Sequence, residues 1–223
     1  LAPGDRVCLE GNNQKQADFL ARALVQLDPQ QVHDLHMVQS VLALPEHLDV
    51  FENGIARRLD FSFSGPQGAR LAKLVSARQL EIGAIHTYLE LFARYFVDLT
   101  PKVALVAAHA ADAQGNLYTG PNTEDTPAIV EATAFSGGIV IAQVNEMVDG
   151  TTTALPRVDI PSDWVHFVVQ APRPNVIEPL FTRDPAQISE IQVLMAMMAI
   201  KGIYAEYEVQ RLNHGIGFDT AAI

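Results

Sequence analysis

Short apolar runs alternate along this chain with stretches whose apolar residues recur every three to four positions. "RVCLE" (6–10) is a run of the first kind, and "KQADFLARALVQL" (15–27) sets Ala17, Leu20, Leu24 and Leu27 at helical spacing. "DLHMV" (34–38) reads as the next strand. Pro45 opens a short helix that Asn53-Gly54 stops, because glycine accepts the left-handed conformation that ends helices. "RLDFSFS" (58–64) alternates as a half-buried strand does. "GPQGARLAKLV" carries a loop into a helix with Leu71, Leu74 and Val75 on one face, and a further helix is predicted over 88–97.

The middle is more regular. "KVALVAAHA" (102–110) is almost continuously apolar, as a strand covered on both faces must be. "DAQGN" (112–116) is a turn, with Gly115 supplying permissive backbone and Asp112 or Asn116 able to bond the chain locally. "TPAIVEATAF" reads as a helix with proline in its first turn. "GGIVIAQVNE" (137–146) and "DWVHFVVQA" (163–171) read as two more buried strands, joined by proline-rich polar connections at 149–162 and 172–183. The succession predicts an α/β fold, a parallel-rich sheet flanked by helices.

Asp184-Pro185 then starts a new helical element, with Ile188, Ile191, Met195 and Met198 in register. That spacing predicts core packing for the methionines rather than a soft binding face. "YEVQRLNHGIGFDTAAI" (207–223) has the plan of "DRVCLEGNNQKQADFLARAL" (5–24): strand, amide-rich turn, helix start. One domain over 1–184 and the start of a second, similar one over 185–223 are expected. The chain begins at Leu1 and stops at Ile223 inside an apolar pattern, so it reads as a piece of something longer.

Composition narrows the function classes. Apolar residues make up 48% and charged residues 18%, ordinary for a packed soluble protein. The formal net charge of -11 argues against nucleic acid or a membrane surface as partner, since both select basic fields. It leaves room for a local anion site built from backbone N–H groups. Cys8 is the single cysteine, so no internal disulfide forms, and it reads as a small core residue in a reducing, cytoplasmic setting. No apolar run is long enough to span a bilayer, and no secretion signal opens the chain.

The loop Glu10 to Gln16 is the main candidate for chemistry. It joins a strand end to a helix N-terminus, where unpaired N–H groups and the helix dipole suit phosphates, carboxylates and thioester oxygens. Gly11, Asn12, Asn13, Gln14 and Lys15 are the candidate contacts, with Lys15 as the cation and Gln14 and Gln16 as donors to a carbonyl. A plain solvated connection is the other reading. Neither GxGxxG nor GxxxxGK[ST] is present. Glu52-Asn53-Gly54 has the letters of a thioester-attacking glutamate, but closing a helix explains the triplet. His86 and His109 sit beside apolar runs and read as packing histidines; Ser40, Ser62, Ser64 and Ser136 lack a nucleophile-elbow setting. No histidine or cysteine pair has metal-ligand spacing.

Two segments in combination are more specific. "AHAADAQGNLYTGPN" and "GGIVIAQVNEMVDG", with the Asp112-Gly115-Asn116 turn and the strand ending Val144-Asn145-Glu146, resemble the family I coenzyme A transferases and their acetyl-CoA hydrolase and citrate lyase relatives. "EGNNQKQADFLARAL", "HTYLELFARYFVDLTP" and "ALPRVDIPSDWVHFVVQAPRPNVIEPLFTRDP" narrow the resemblance to the malonate decarboxylase α-subunit family, over essentially the whole chain but only the first half of that family's subunit. The resemblance implies a CoA-transferase-like (NagB/RpiA-like) domain. It implies exchange of acetate for malonate on the thioester of an acyl carrier protein, giving malonyl-ACP, with the other malonate decarboxylase subunits as partners. It implies no cofactor bound by this chain itself, because the thiol belongs to a phosphoribosyl-dephospho-CoA prosthetic group on the carrier, and no metal. Asn145 joins the loop residues as an implied substrate contact. The relatives' covalent glutamate lies in their second domain, so no catalytic residue is assigned here. A CoA transferase or acyl-CoA hydrolase for another short acid, and a non-catalytic docking domain for the carrier, stay open as alternatives.

Overall fold

The computed structural model describes residues 1–149, 157–179 and 183–223. Strands β1 (Arg6–Leu9), β2 (Leu35–Val41), β3 (Ala56–Phe63) and β4 (Glu81–Ile85) alternate with helices α1 (Asp18–Val25), α2 (Glu46–Glu52) and α3 (Gly68–Ser76). Helix α4 (Tyr88–Tyr95) leads to β5 (Val103–Asp112), the short β6 (Leu117–Tyr118), α5 (Thr126–Phe135), β7 (Ile139–Val148) and β8 (Phe167–Gln170). Among the described residues these strands form one eight-stranded sheet in the order β4-β3-β2-β1-β5-β7-β8. Its pairings are parallel, except that β6 runs antiparallel to β5.

Alternation along the strands separates two apolar layers. Val7 and Leu9 point to one face, where α1, α2 and α3 bring Leu20, Leu24, Leu48, Phe51, Leu71 and Leu74. Cys8 points to the other, where α4 and α5 bring Leu91, Tyr95, Ile129 and Val130. The chain moves outward from β1 to β4, returns to the centre, and continues in the other direction from β5. The reversal therefore lies between β1 and β5, where Leu9 pairs with Leu105. At such a switch point the loops leaving the strand ends diverge and open a crevice at the carboxyl edge of the sheet.

Strand β4 was not expected, because Gly83 at its centre weakens the strand signal. Its glycine is steric: a Cβ there would lie 2.0 Å from Asp60 Oδ2 and 2.8 Å from Arg58 Nε. The buried strand expected over 163–171 is also corrected. Ser162–Trp164 is a 3-10 turn, and only Phe167–Gln170 pairs, as the outermost strand. Phe167 is accordingly 60% exposed. Trp164 instead packs edge-on against Phe135, their ring centroids 5.0 Å apart. The connection at 149–162 lies partly outside the described residues, as does that at 172–183.

Contacts gather Leu1–Ile177 into one compact unit and Glu178–Ile223 into another. Within the second, Asp184 caps only a 3-10 turn, Pro185–Gln187. The α-helix proper, α6 (Glu190–Ala199), has its own start, a reciprocal capping box between Ser189 and Gln192. It runs on into a π-helical turn, Ile200–Ala205. The core packing expected of its apolar residues is not found: Ile191, Met195 and Met198 are 70%, 54% and 65% exposed. Residues after the π-turn form no strand among the described residues, only the short α7 (Phe218–Ala221). A strand needs a ladder partner, and none is offered there.

Candidate functional site

The carboxyl end of β1 delivers Glu10 to the switch point with its side chain turned toward α5. Glu10 Oε2 accepts from the Ala107 backbone N–H at 2.7 Å, and Oε1 accepts from the Thr126 hydroxyl. Lys15 Nζ lies 2.9 Å from Glu10 Oε1 and 2.5 Å from Thr126 Oγ1, and both charged side chains are fully buried. An isolated ammonium could not remain charged in such a place, so the glutamate is the condition for the lysine. Lys15, expected from sequence as the cation for an anionic ligand, is thus a buried counter-charge to Glu10.

The asparagine at the head of the loop is similarly committed. Asn12 Oδ1 accepts from the N–H groups of Gln14 and Lys15, each at 2.8 Å, and Asn12 N–H donates to Lys15 O at 2.9 Å. This is an Asx-type turn, closed below by a bridge between Gly11 and Gln16. Asn12 Nδ2 reaches across to Glu124 Oε2 at 2.5 Å and Asn122 Oδ1 at 3.4 Å. Gly11 is needed sterically, since a Cβ would meet Gln16 Oε1 at 2.4 Å and the His47 ring at 3.2 Å. What the loop presents outward is Asn13, which is exposed, and half-buried Gln14; neither side chain is hydrogen-bonded among the described residues.

The helix N-terminus is not an open anion cradle. The N–H groups of Phe19 and Leu20 donate to Gln143 Oε1 at 2.9 and 3.1 Å. Gln143, from β7, therefore fills the donors that the first turn of α1 would offer a ligand. Its Nε2 donates to Asp18 Oδ1 at 2.8 Å. Burial opposes ionisation of Asp18, but bonds from Gln143, Arg22 and Asn175 outweigh it and hold the carboxyl below its usual range. Asn145 exchanges two 2.8 Å bonds with the backbone of Asn175. Asn175 Nδ2 in turn donates to Gln16 O at 2.8 Å. Asn145 is thus brought to the loop through Asn175, as a clamp on the segment after β8.

Beneath the loop lies a group of buried polar side chains, of which sequence reasoning weighs only Ser40. Gln39 and Ser40 end β2, His47 lies on α2, and Asp125 precedes α5; all are at most 1% exposed. The amide of Gln39, the hydroxyl of Ser40, both ring nitrogens of His47 and both carboxyl oxygens of Asp125 lack a hydrogen bond of good geometry. Burial pushes Asp125 up to about 7; nearby Ser40 opposes this, and Glu124 and Glu10 add to it. Glu124 is also raised, chiefly by burial, against the bond from Asn12. Burial lowers His47 to about 4, with the Val41 backbone opposing, so its ring is neutral at pH 7. Three carboxyls, Glu10, Glu124 and Asp125, thus lie near one lysine, and burial raises Glu124 and Asp125, the latter to about 7. The signal available in the sequence is the acidic pair Glu124-Asp125 immediately before Thr126-Pro127.

The remaining candidates fall elsewhere. His86 Nε2 and His36 Nε2 clamp the buried Asp60 carboxylate at 2.8 and 2.7 Å, so His86 is a satisfied packing histidine. Burial opposes ionisation of Asp60, yet those two rings hold its carboxyl low. His109 is corrected: it is half exposed where β5 emerges, with Nε2 at 3.2 Å from Glu146 Oε1. Glu52 faces solvent and pairs with Arg70 at 2.6 Å, as a helix-closing residue can. Cys8 is buried, and burial drives its thiol far above the usual range. Asp112 accepts from the N–H groups of Gln114 and Asn116 at 3.0 and 2.9 Å, building the expected turn. Among the described residues no group of three histidine, cysteine or carboxylate side chains is placed to hold a metal, and no helix is long and apolar enough to cross a membrane.

The family described as "Malonate decarboxylase, alpha subunit, transporter" matches residues 1–223. The chain belongs to the malonate decarboxylase α-subunit family. The acetyl-S-ACP:malonate ACP transferase of Malonomonas rubra is 63% identical over 223 residues, all of this chain and 40% of that protein. The α/β fold coincides with a chain of a Pseudomonas malonate decarboxylase hetero-tetramer solved with malonate, at TM-score 0.85 and 66% identity, over 100% of this chain and 40% of that one. Glutaconate coenzyme A-transferase from Acidaminococcus fermentans shares the fold at TM-score 0.62 and 14% identity, covering 94% of this chain and 86% of that one. The chain thus spans 40% of the length of the malonate decarboxylase relatives it matches, and its parallel sheet is that of the CoA transferases.

Proposed function

We propose that this chain is the N-terminal part of the subunit that exchanges acetate for malonate on an acyl carrier thioester. Acetyl-S-ACP and malonate become malonyl-S-ACP and acetate: the acetyl carbon exchanges its bond to sulfur for one to oxygen, a malonate carboxyl carbon exchanges a bond to oxygen for one to sulfur, and no atom changes oxidation state. The thiol would be that of a phosphoribosyl-dephospho-CoA group on the carrier, so the prosthetic group arrives as substrate. Residues 185–223 would open the second domain, and the assembly, with its other malonate decarboxylase subunits, would work in the cytoplasm.

The observation that carries this reading is the loop at the β1/β5 switch point. Its backbone is pinned by Asn12, Lys15 and Gln143, and among the described residues the loop side chains that face outward without a hydrogen bond are those of Asn13 and Gln14. A rigid loop offering amide donors suits the oxygens of a thioester or carboxylate, because preorganised donors need no rearrangement as charge develops. Gly11 lets the loop approach His47 and Gln16 closely, and Asn145 fixes the opposite bank.

The test uses the intact subunit with acetyl-ACP and labelled malonate. Malonyl-ACP and free acetate should appear in equal amounts. Asn13→Ala/Gln14→Ala should lower kcat/KM by about tenfold, or about 1.4 kcal/mol, with the melting temperature unchanged. Loss of the acetyl group to water without any need for malonate would refute the exchange. Unaltered exchange in the double variant would remove the loop from the chemistry.

A further inference from the structure

The far edge of the sheet carries a surface that the exchange reaction leaves unused. Helix α3 and strands β3 and β4 wall two adjoining open troughs, of about 480 and 430 Å³, which share Val75 and Ile82. The larger is apolar, with Phe63 and Ile85 on its rim 51% and 64% exposed. The smaller is bordered by Arg57 and Arg78 and by a single acid, Glu81. Both arginines are exposed and, among the described residues, neither is in an ion pair, whereas neighbouring Arg70 is engaged by Asp49 and Glu52 and Arg58 leans on Asp60. An apolar centre with a charged margin is the anatomy of a protein-docking surface.

The charge decides the occupant. The chain as a whole carries -11, so its field repels an acidic partner everywhere except near uncompensated cations. At physiological salt that field is screened within about 8 Å, which makes the local arginines the guide at close range. A second copy of the same face is disfavoured, because two-fold symmetry would set arginines against arginines. We infer that the α3/β4 trough docks an acidic protein surface bearing an apolar ridge. Resting on the function proposed above, that surface belongs to the acyl carrier partner, with its carboxylates on Arg57 and Arg78 and its ridge against Phe63 and Ile85.

Calorimetric titration of the intact subunit with the carrier protein tests this separately from turnover. Arg57→Glu/Arg78→Glu should weaken binding by about tenfold or more and flatten its salt dependence. Ile85→Ser should weaken it several-fold with the salt dependence retained. Both variants should keep the native circular dichroism spectrum. Carrier affinity within two-fold of the parent in both variants would overturn the assignment. So would displacement of the carrier by free dephospho-CoA from the parent but not from the arginine variant, which would make the trough a site for the arm. A change in sedimentation with carrier affinity unaltered would also overturn it, as the face would then join subunits. Tight, arginine-dependent carrier binding without malonate exchange would sink the proposed reaction and leave the docking surface standing.

Discussion

Asp125 should make this protein less stable as the pH rises toward neutrality, and its replacement by asparagine should reverse that. In the folded chain its carboxyl is fully buried and titrates at about 7, against an ordinary value of 3.8. The folded state therefore keeps a proton that the unfolded state releases. The stability this group contributes is fully present below pH 4 and is lost progressively up to pH 7, above which the loss is constant. At about 1.36 kcal/mol per pH unit, the gap amounts to on the order of 4 kcal/mol. Asparagine has nearly the shape of the protonated acid, serves equally well before a helix, and does not titrate. In urea unfolding of the intact subunit, Asp125→Asn should match the parent near pH 4 and exceed it by a few kcal/mol at pH 8. A difference that does not change with pH, or a variant weaker than the parent at pH 8, would refute the assignment of the buried proton to Asp125.

Two further outcomes follow from buried geometry. Lys15→Met should lower stability by about 3–5 kcal/mol, because buried Glu10 loses its counter-charge, and the added change Glu10→Gln should restore much of it; thermal melts of the three proteins test this. Gly83→Ala should cost about 1–3 kcal/mol by driving Asp60 off His36 and His86, seen as a lowered urea midpoint and altered imidazole resonances.

The strand–helix succession was legible because each element buries a face whose period is local. β1, α1, β2, α2 and α5 are all written in runs of four to ten residues, and the structure places them where those runs lie. β4 escaped because Gly83 answers to the Asp60 side chain on the neighbouring strand, a constraint with no local trace. The same holds for the face of α6: helical spacing says that Ile191, Met195 and Met198 share a side, but not that a partner is present to cover it. At the candidate site, sequence located the loop and misassigned the work of its residues. Lys15 looked like a cation in search of an anion, but its anion is Glu10, only five positions earlier and turned inward with it.

The partners that settle this loop lie more than a hundred residues away along the chain. Thr126 and Glu124 reach it from the approach to α5, and Gln143 from β7. That arrangement follows from topology: β1 is the first strand made, and β5 is laid beside it, with β7 beside β5, only after the chain has run out to β4 and back. A loop placed at such a reversal is reached by side chains from both directions of the sheet, so polar residues there can be fixed without local secondary structure. The consequence is a division of labour within five consecutive residues. Asn12, Lys15 and the backbone carbonyl of Gln16 bind the loop to the body of the domain, whereas Asn13 and Gln14 are held outward by it. Such a loop does not have to be ordered by its ligand, and the entropy that binding would otherwise cost has been met in folding.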